Sequence, residues 1–546
     1  MTATHPGAPE QLADQRVVYR NGTVLTPVGP GARALCVERG RIVYAGPDDG
    51  LEPYLTGADE IVDLAGRLVT PAFVDAHVHL SQTGLRRTGL DLSVARGRQE
   101  LLDVLSAHAR QVSGAIILGF GWDETSWPDP SLPSEEELER AAPNRAVYLA
   151  RVDVHSALVS STLVARDPAM TRVPGWDGTG RVERDTHHRA RDAAQALVTR
   201  SQRREAIEVA LAAAAAAGLG CVHEMSAPHL NPADDLLLIE ELTTQRPGVT
   251  VVRYWGEHVS SGGVERARAL GCAGAAGDLC ADGAFGSRTA ALTSAYDDLP
   301  GHAGHRYLDA DDVAAHLVAC TRAGLQGGFH CIGDAATAAV VEGLRLAEKI
   351  VGTEDLVRSR HRLEHVELTD PELVGHLGTY GVVVSGQPAF DAAWGGRSGM
   401  YATRLGPARA LATNPWAAFR RAGVALAFGS DSPVTPFDPW DGVRAAAYHH
   451  NEAARLPVDE AFTAHTRGGW YAAGRAETGD LLPGAPATFT VWEALGPWLP
   501  TLAPDAEAPR CLRTVVAGRT AHDTGTLQGR ASRGRGTRAH REGESR

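Results

Sequence analysis

The sequence predicts an α/β chain: a (β/α)8 TIM barrel with a small composite β-sandwich domain formed from both chain ends. Three observations predict it. Through the middle of the chain, apolar runs of about five to eight residues alternate with helix-like stretches, the pattern of parallel strands buried on both faces. The two ends share a different composition, short β-rich pieces broken by glycine turns. Nearly every middle run ends in a polar or ionisable residue, and a barrel gathers its strand C-termini at one rim.

The elements follow in order. Residues 1–15, MTATHPGAPEQLADQ, have neither a basic start nor an apolar core. They read as a disordered N-terminus without a signal peptide, on a cytoplasmic chain. Residues 16–68 open the sandwich, with Asn-Gly, Gly-Pro-Gly and Arg-Gly turns between RVVYR, ARALCVE and RIVYAG. Residues 69–475 form the barrel. Its candidate strands are LVTPAFVDAHV, GLGCVHEM, TVVRYWGE, GDLCADG, LQGGFHCIG, RHRLEHVE, GVVVSGQP and ALAFGSDSPV. Helical stretches such as SQRREAIEVALAAAAAAG and DAATAAVVEGLRLAEKIVG separate them. An insertion at about 85–200 parts the first strand from its successor and carries GWDETSWPDP and RVDVHSALV. Residues 476–525 return to hairpin composition and complete the sandwich. Residues 526–546 are rich in Gly and Arg and read as a disordered tail.

Composition excludes several classes. At 546 residues the chain exceeds one small core, and a net charge of −13 argues against a nucleic-acid surface. No apolar run reaches membrane-spanning length. The cysteines number 7 and form no C-x-x-C pair, which argues against a disulfide framework or zinc knuckle. Lys349 is the sole lysine; every other basic side chain except histidine is arginine.

The stretch FVDAHVHL places His77 and His79 two residues apart, hence on one face of a strand. Further strand ends supply Asp278 and Asp282, His330, Glu364 and His365, and Gly429-Ser430-Asp431. A single histidine is ordinarily a hydrogen-bonded core side chain. Four histidines and an aspartate at one rim point instead to a first-row metal, since imidazole and carboxylate suit zinc, iron or manganese. His223-Glu224 ends the second strand and reads as support for that site. His187-His188 and His449-His450 read as exposed and take no role.

PAFVDAHVHL, ADGAFGSRTA, GFHCIGDAA, HRLEHVEL and FGSDSPV resemble the markers of the amidohydrolase superfamily, and within it the N-substituted-formamide deformylase-like, metal-dependent branch. The resemblance spans the chain from its first β segment to about Asp523. It implies a distorted (β/α)8 barrel and, in this sequence, a metal held by His77 and His79, with Asp431 as ligand and proton carrier. His330 and His365 would bind a second metal, or contact substrate and the attacking water. A homodimer acting on a small-molecule substrate is the family expectation. Binuclear relatives carry a bridging, carbamylated lysine on the fourth strand. Asp278 stands at that position here, and Lys349 falls in a helix between the fifth and sixth strands. Asp278 either substitutes for the bridge or orients a histidine N–H. Two divalent ions without a bridging anion repel strongly, so one tightly bound metal, zinc first, is expected, with a second weak or absent.

The activity so implied is hydrolysis of a non-peptide C–N bond by metal-activated water, with Asp431 and His330 as catalytic residues. Arg288, Trp122, Asp123, His155 and Asp282 are candidate substrate contacts. Cys280 is either a soft ligand or an inert thiol. Two alternatives stand beside this reading: a mononuclear-metal deaminase of a small heterocycle, and a non-catalytic binding protein on a degenerate barrel.

Overall fold

In a computed structural model the described residues are 15–29, 31–124, 127–151, 156–475, 478–496 and 498–531. The chain forms two compact units: residues 1–78 with 212–546, and residues 79–211. The second unit is wider at both ends than the insertion expected over 85–200.

The first unit contains an eight-stranded, all-parallel sheet. Its strands in chain order are Phe73–Val78, Leu219–Ser226, Thr250–Trp255, Gly274–Ala275, Gln326–Cys331, Arg362–His365, Val383–Gly386 and Ala425–Phe428. Each pairs with its neighbour in sequence order. Closure comes from a parallel bridge between Val78 and Ser432, and from Asp431 N–H donating to His77 O at 2.8 Å. These strands read as continuous apolar runs because both faces are covered; all eight residues of Leu219–Ser226 are buried.

Two five-stranded sheets stack beside the barrel, each built from both chain ends. One orders Gln528–Ala531, Glu60–Asp63, Arg16–Arg20, Ala34–Glu38 and Arg41–Gly46. The other orders Thr23–Val24, Arg67–Pro71, Phe489–Leu495, Arg510–Val516 and Arg519–Asp523. Their shared core includes Tyr19, Val37 and Val62 from one sheet and Val69, Phe489 and Leu512 from the other. The Arg-Gly turn is a tight hairpin: Arg39 and Gly40 have φ of 53° and 75°, and a Cβ on Gly40 would lie 2.7 Å from Ala517 O.

Two expectations need correction. Gln528–Ala531, placed in the disordered tail, is a strand antiparallel to Glu60–Asp63, whose edge offers backbone groups to pair. The fourth barrel strand is only Gly274–Ala275, so all of GDLCADG, residues 277–283, lies beyond it. Gly277, at φ 90°, turns the chain there; a Cβ would lie 2.8 Å from Met225 Sδ. Its backbone pairs with the fifth strand again at an isolated bridge, Cys280 to His330.

The second unit has its own sheet, ordered Arg181–Glu183, Ser156–Val159, Ala146–Arg151, Ile116–Trp122 and Leu90–Asp91. Helices Arg98–Gln111, Glu135–Ala141 and Arg184–Ala196 flank these strands in sequence. Among the described residues no helix is long and apolar enough to cross a membrane.

Candidate metal centre

The centre is built at the strand ends. His77 lies in the first strand, His330 in the fifth and His365 closes the sixth. Asp431 follows the eighth strand. All four lie deep: His77, His365 and Asp431 are buried, and the side chain of His330 is 15% exposed. His365 and Asp431 have φ of 71° and 54°, a left-handed backbone that non-glycine residues rarely adopt. Such conformations persist only where surrounding structure enforces them, and they cluster at working sites. At Asp431 the enforcement is visible. Its N–H donates to His77 O, and the preceding Ser430 N–H donates to Asp75 Oδ1 at 2.9 Å. Asp75 is buried in the first strand, and burial pushes its pKa up to about 6.

Each of the three histidines has one ring nitrogen held by an acceptor. His77 Nδ1 lies 3.0 Å from Glu364 Oε2, His365 Nδ1 lies 2.7 Å from Gln387 Oε1, and His330 Nε2 lies 3.1 Å from Gly283 O. An acceptor at one nitrogen puts the proton there and turns the other lone pair outward. His77 Nε2 faces Asp278 Oδ1 at 3.5 Å and Asp431 Oδ1 at 3.5 Å. His330 Nδ1 faces Asp278 Oδ1 at 3.7 Å. One ligand atom each from His77, Asp278 and His365 lies within 4.8 Å of the others. These separations exceed hydrogen-bond length but suit ligands sharing one ion: donors about 2.1 Å from a tetrahedral zinc lie about 3.4 Å apart. The donor set of neutral imidazoles and carboxylates fits a divalent first-row metal.

The electrostatics agree. Burial opposes a positive charge on His77, but Asp278, Asp431 and Glu364 outweigh it and raise its pKa well above the usual value. His330 is likewise raised to about 9: burial opposes, and Asp278 and Asp282 prevail. His365 is lowered to about 3 by burial and by the two neighbouring histidines. The carboxylates thus favour a cation at this point.

The remaining candidates divide. His79 is buried and directly follows Val78, at the first position of the second unit. Asp278, offered as a bridge or as a partner of a histidine, comes up against both His77 and His330. Lys349 is exposed on the helix Asp334–Val351. Asp282, expected at substrate, is instead a buried clamp. It accepts N–H groups of Ala291, Ile332 and Gly333 at 2.8–2.9 Å. Arg288 makes a bidentate pair with Asp298 at 2.9 and 2.7 Å, so its guanidinium is occupied. Trp122 is fully buried in the second unit's own core, and its indole N–H donates to Leu149 O. Asp123 pairs with Arg151 at 2.9 Å, and His155 lies outside the described residues. Burial raises the pKa of Cys280, with Asp278 and Asp282 adding to it, which disfavours the thiolate. Two histidines read as exposed are buried: His187 bonds Tyr148 Oη, and His449 faces Asp391.

Asp75, Glu364 and Gln387 take roles that sequence reading did not assign. Glu364 was visible as a polar strand end; Asp75 and Gln387 sit in quoted motifs but carry no spacing signal of their own.

The model of the amidohydrolase family matches residues 60–522. This chain belongs to the amidohydrolase family. It is 26% identical over 515 residues to the putative amidohydrolase YtcJ of Bacillus subtilis, covering 87% of this chain and 94% of that protein. It is 22% identical over 515 residues to the N-substituted formamide deformylase of Arthrobacter pascens, covering 88% and 93%. Among solved structures, an uncharacterized metal-dependent hydrolase from Pyrococcus furiosus superposes with a TM-score of 0.72 at 24% identity, over 87% of this chain and 98% of that one. The chain is a metal-dependent amidohydrolase enzyme on a TIM-barrel fold.

Proposed function

We propose that this amidohydrolase cleaves a non-peptide C–N bond: an amide, N-formyl amide, cyclic imide or carbamate. The observation that carries the reading is the convergence of histidine nitrogens, each ring pinned at its far nitrogen, on the carboxylates of Asp278 and Asp431. The likeness to a formamide deformylase along nearly the whole chain supports the bond type.

In this proposal His77, His330, His365, Asp431 and Asp278 hold one divalent ion, zinc first. His79 is kept as a further ligand on the H-x-H spacing. Charge supports a single ion: Asp278 and Asp431 together match one divalent cation, while Glu364 is already matched by Arg362. When bound, the metal supplies a water acidified to near neutrality and a Lewis acid for the carbonyl. Asp431 takes the proton of the attacking water and returns it to the leaving nitrogen. His330 presents Nδ1 to the ion, its Nε2–H being held by Gly283 O, so the charge gained by the carbonyl oxygen is left to the Lewis acid.

The deaminase alternative calls for a glutamate near the fifth strand, and Gln326–Cys331 contains none. Turnover of formamides, acyl amides and nucleobases by the zinc-loaded chain tests the proposal. Release of formate or another carboxylate supports it. Ammonia released from a base supports the deaminase, and bound zinc without turnover supports the binding protein.

A further inference from the structure

Beneath the metal centre lie two charged side chains that the proposed chemistry does not use. Arg362 and Glu364 sit on the sixth barrel strand, two residues apart and on one face, and both are fully buried. Arg362 Nε donates to Glu364 Oε1 at 2.5 Å, and Nη2 donates to Oε2 at 3.0 Å. The same guanidinium reaches His223 Nδ1 at 3.1 Å and Ala76 O at 2.8 Å, and it lies 4.6 Å from the Tyr254 ring centroid. Glu364 Oε2 also meets His77 Nδ1 at 3.0 Å.

A buried ion pair is a poor way to stabilise a barrel, since apolar side chains of equal volume generally do as well or better. Its geometry indicates another use. An ionised carboxylate can only accept, so His77 must carry its proton on Nδ1. That leaves the Nε2 lone pair aimed between Asp278 and Asp431. Arg362 holds Glu364 bidentately and also grips the carbonyl of Ala76, the residue before His77. One guanidinium therefore fixes both the carboxylate and the backbone that carries the imidazole. Of the three described ring anchors, this one alone is charged: His365 is held by the Gln387 amide and His330 by a backbone carbonyl. A charged acceptor makes the opposite nitrogen a stronger donor to a metal.

We propose that Glu364, fixed by Arg362, is a positioning residue that sets the tautomer, orientation and donor strength of His77 toward the divalent cation. This rests on His77 being a ligand.

The test measures Zn2+ affinity of the purified full chain by competition with a chelating indicator. It also records the visible spectrum of the Co2+-substituted protein. Glu364→Gln keeps an acceptor but removes its charge, and it is expected to weaken Zn2+ about 10- to 100-fold and alter the Co2+ bands. Glu364→Asp, which keeps the charge, is expected to recover part of the loss. Unchanged affinity in a folded Glu364→Gln chain overturns the proposal. If that variant does not fold, the apolar double variant Arg362→Met/Glu364→Met reads the same quantity with no charge left unpaired. The wild-type chain gives a measurement independent of either variant: 15N NMR of the His77 ring, assigned by its loss in His77→Gln. In the zinc-loaded chain a proton on Nδ1 with Nε2 bare is expected, and a proton on Nε2 with Nδ1 bare overturns the proposal. His77→Gln separates the two layers. Full Zn2+ retention there overturns the ligand reading. Loss of Zn2+ there, with Glu364→Gln unaffected, overturns only the positioning role.

Discussion

His465→Gln tests how the structure holds the strand that carries His77. His465 is buried, and its Nδ1–H donates to Val74 O at 2.9 Å while Val74 N–H donates to His465 O at 2.9 Å. Burial lowers its pKa from 6.5 to about 4, with the hydrogen bond to Val74 opposing. The sign follows from proton uptake. Above about pH 6.5 the histidine is neutral in both states and costs nothing. Between about 6.5 and 4 the unfolded chain takes a proton that the folded chain refuses, so stability is lost as pH falls. The whole window is worth about 3.4 kcal/mol, and the part between pH 7 and pH 5 about 2 kcal/mol. Glutamine keeps a donor for Val74 but does not titrate. The wild-type advantage over His465→Gln should therefore shrink by about 2 kcal/mol between pH 7 and pH 5. Urea unfolding followed by tryptophan fluorescence can read this locally. Trp440 and Trp492 pack on Phe73 at 4.9 and 5.7 Å, and Phe73 packs on His465 at 5.3 Å. Taking the difference between two chains cancels the buried carboxylates, whose raised pKa values pull the other way. A difference that stays constant within about 0.5 kcal/mol would refute the reasoning, since burial is the only cause here that lowers this pKa.

Other predictions follow from the same geometry. Asp431→Asn should lower kcat by about 10²- to 10⁴-fold in a folded, metal-loaded chain, measured at saturating zinc, because the proton carrier is gone. Arg288→Met should leave KM within about threefold while lowering the thermal midpoint, since its guanidinium already pairs with Asp298. Asp282→Ala should cost about 3 kcal/mol or more in unfolding experiments, because three backbone N–H groups lose a buried acceptor. Removing metal with a chelator should abolish turnover, and added zinc should restore it; recovery should weaken as pH falls from 8 to 6, because His77 and His330 then compete for protons.

Much of the architecture was legible because parallel strands buried on both faces leave long apolar runs, and because strand-end residues converge at a barrel rim whatever lies between them. Hence His77, His330, His365 and Asp431 could be picked from spacing and position, and the structure brings them together. The fourth strand was not legible: GDLCADG has the right composition, yet Gly277 turns the backbone out after two paired residues. The intramolecular partners of Asp282 and Arg288 were hidden for a different reason. They are backbone amides and an aspartate of neighbouring loops, and no local pattern announces such contacts. The strand Gln528–Ala531 was hidden by a Gly- and Arg-rich composition, since pairing with Glu60–Asp63 depends on an edge from the far end of the chain. Glu364 was visible as a polar strand end, but its function lies in a hydrogen bond to a residue 287 positions away.

The central claim is that side chains from separate strands gather one divalent cation in a chain that has no lysine to bridge two. Metal content per chain, measured by elemental analysis on protein purified with and without added zinc, tests this most directly. The account predicts one tightly held ion that survives dialysis, and its loss in His77→Gln. Two equally tight ions per chain, or full retention in that variant, would contradict it.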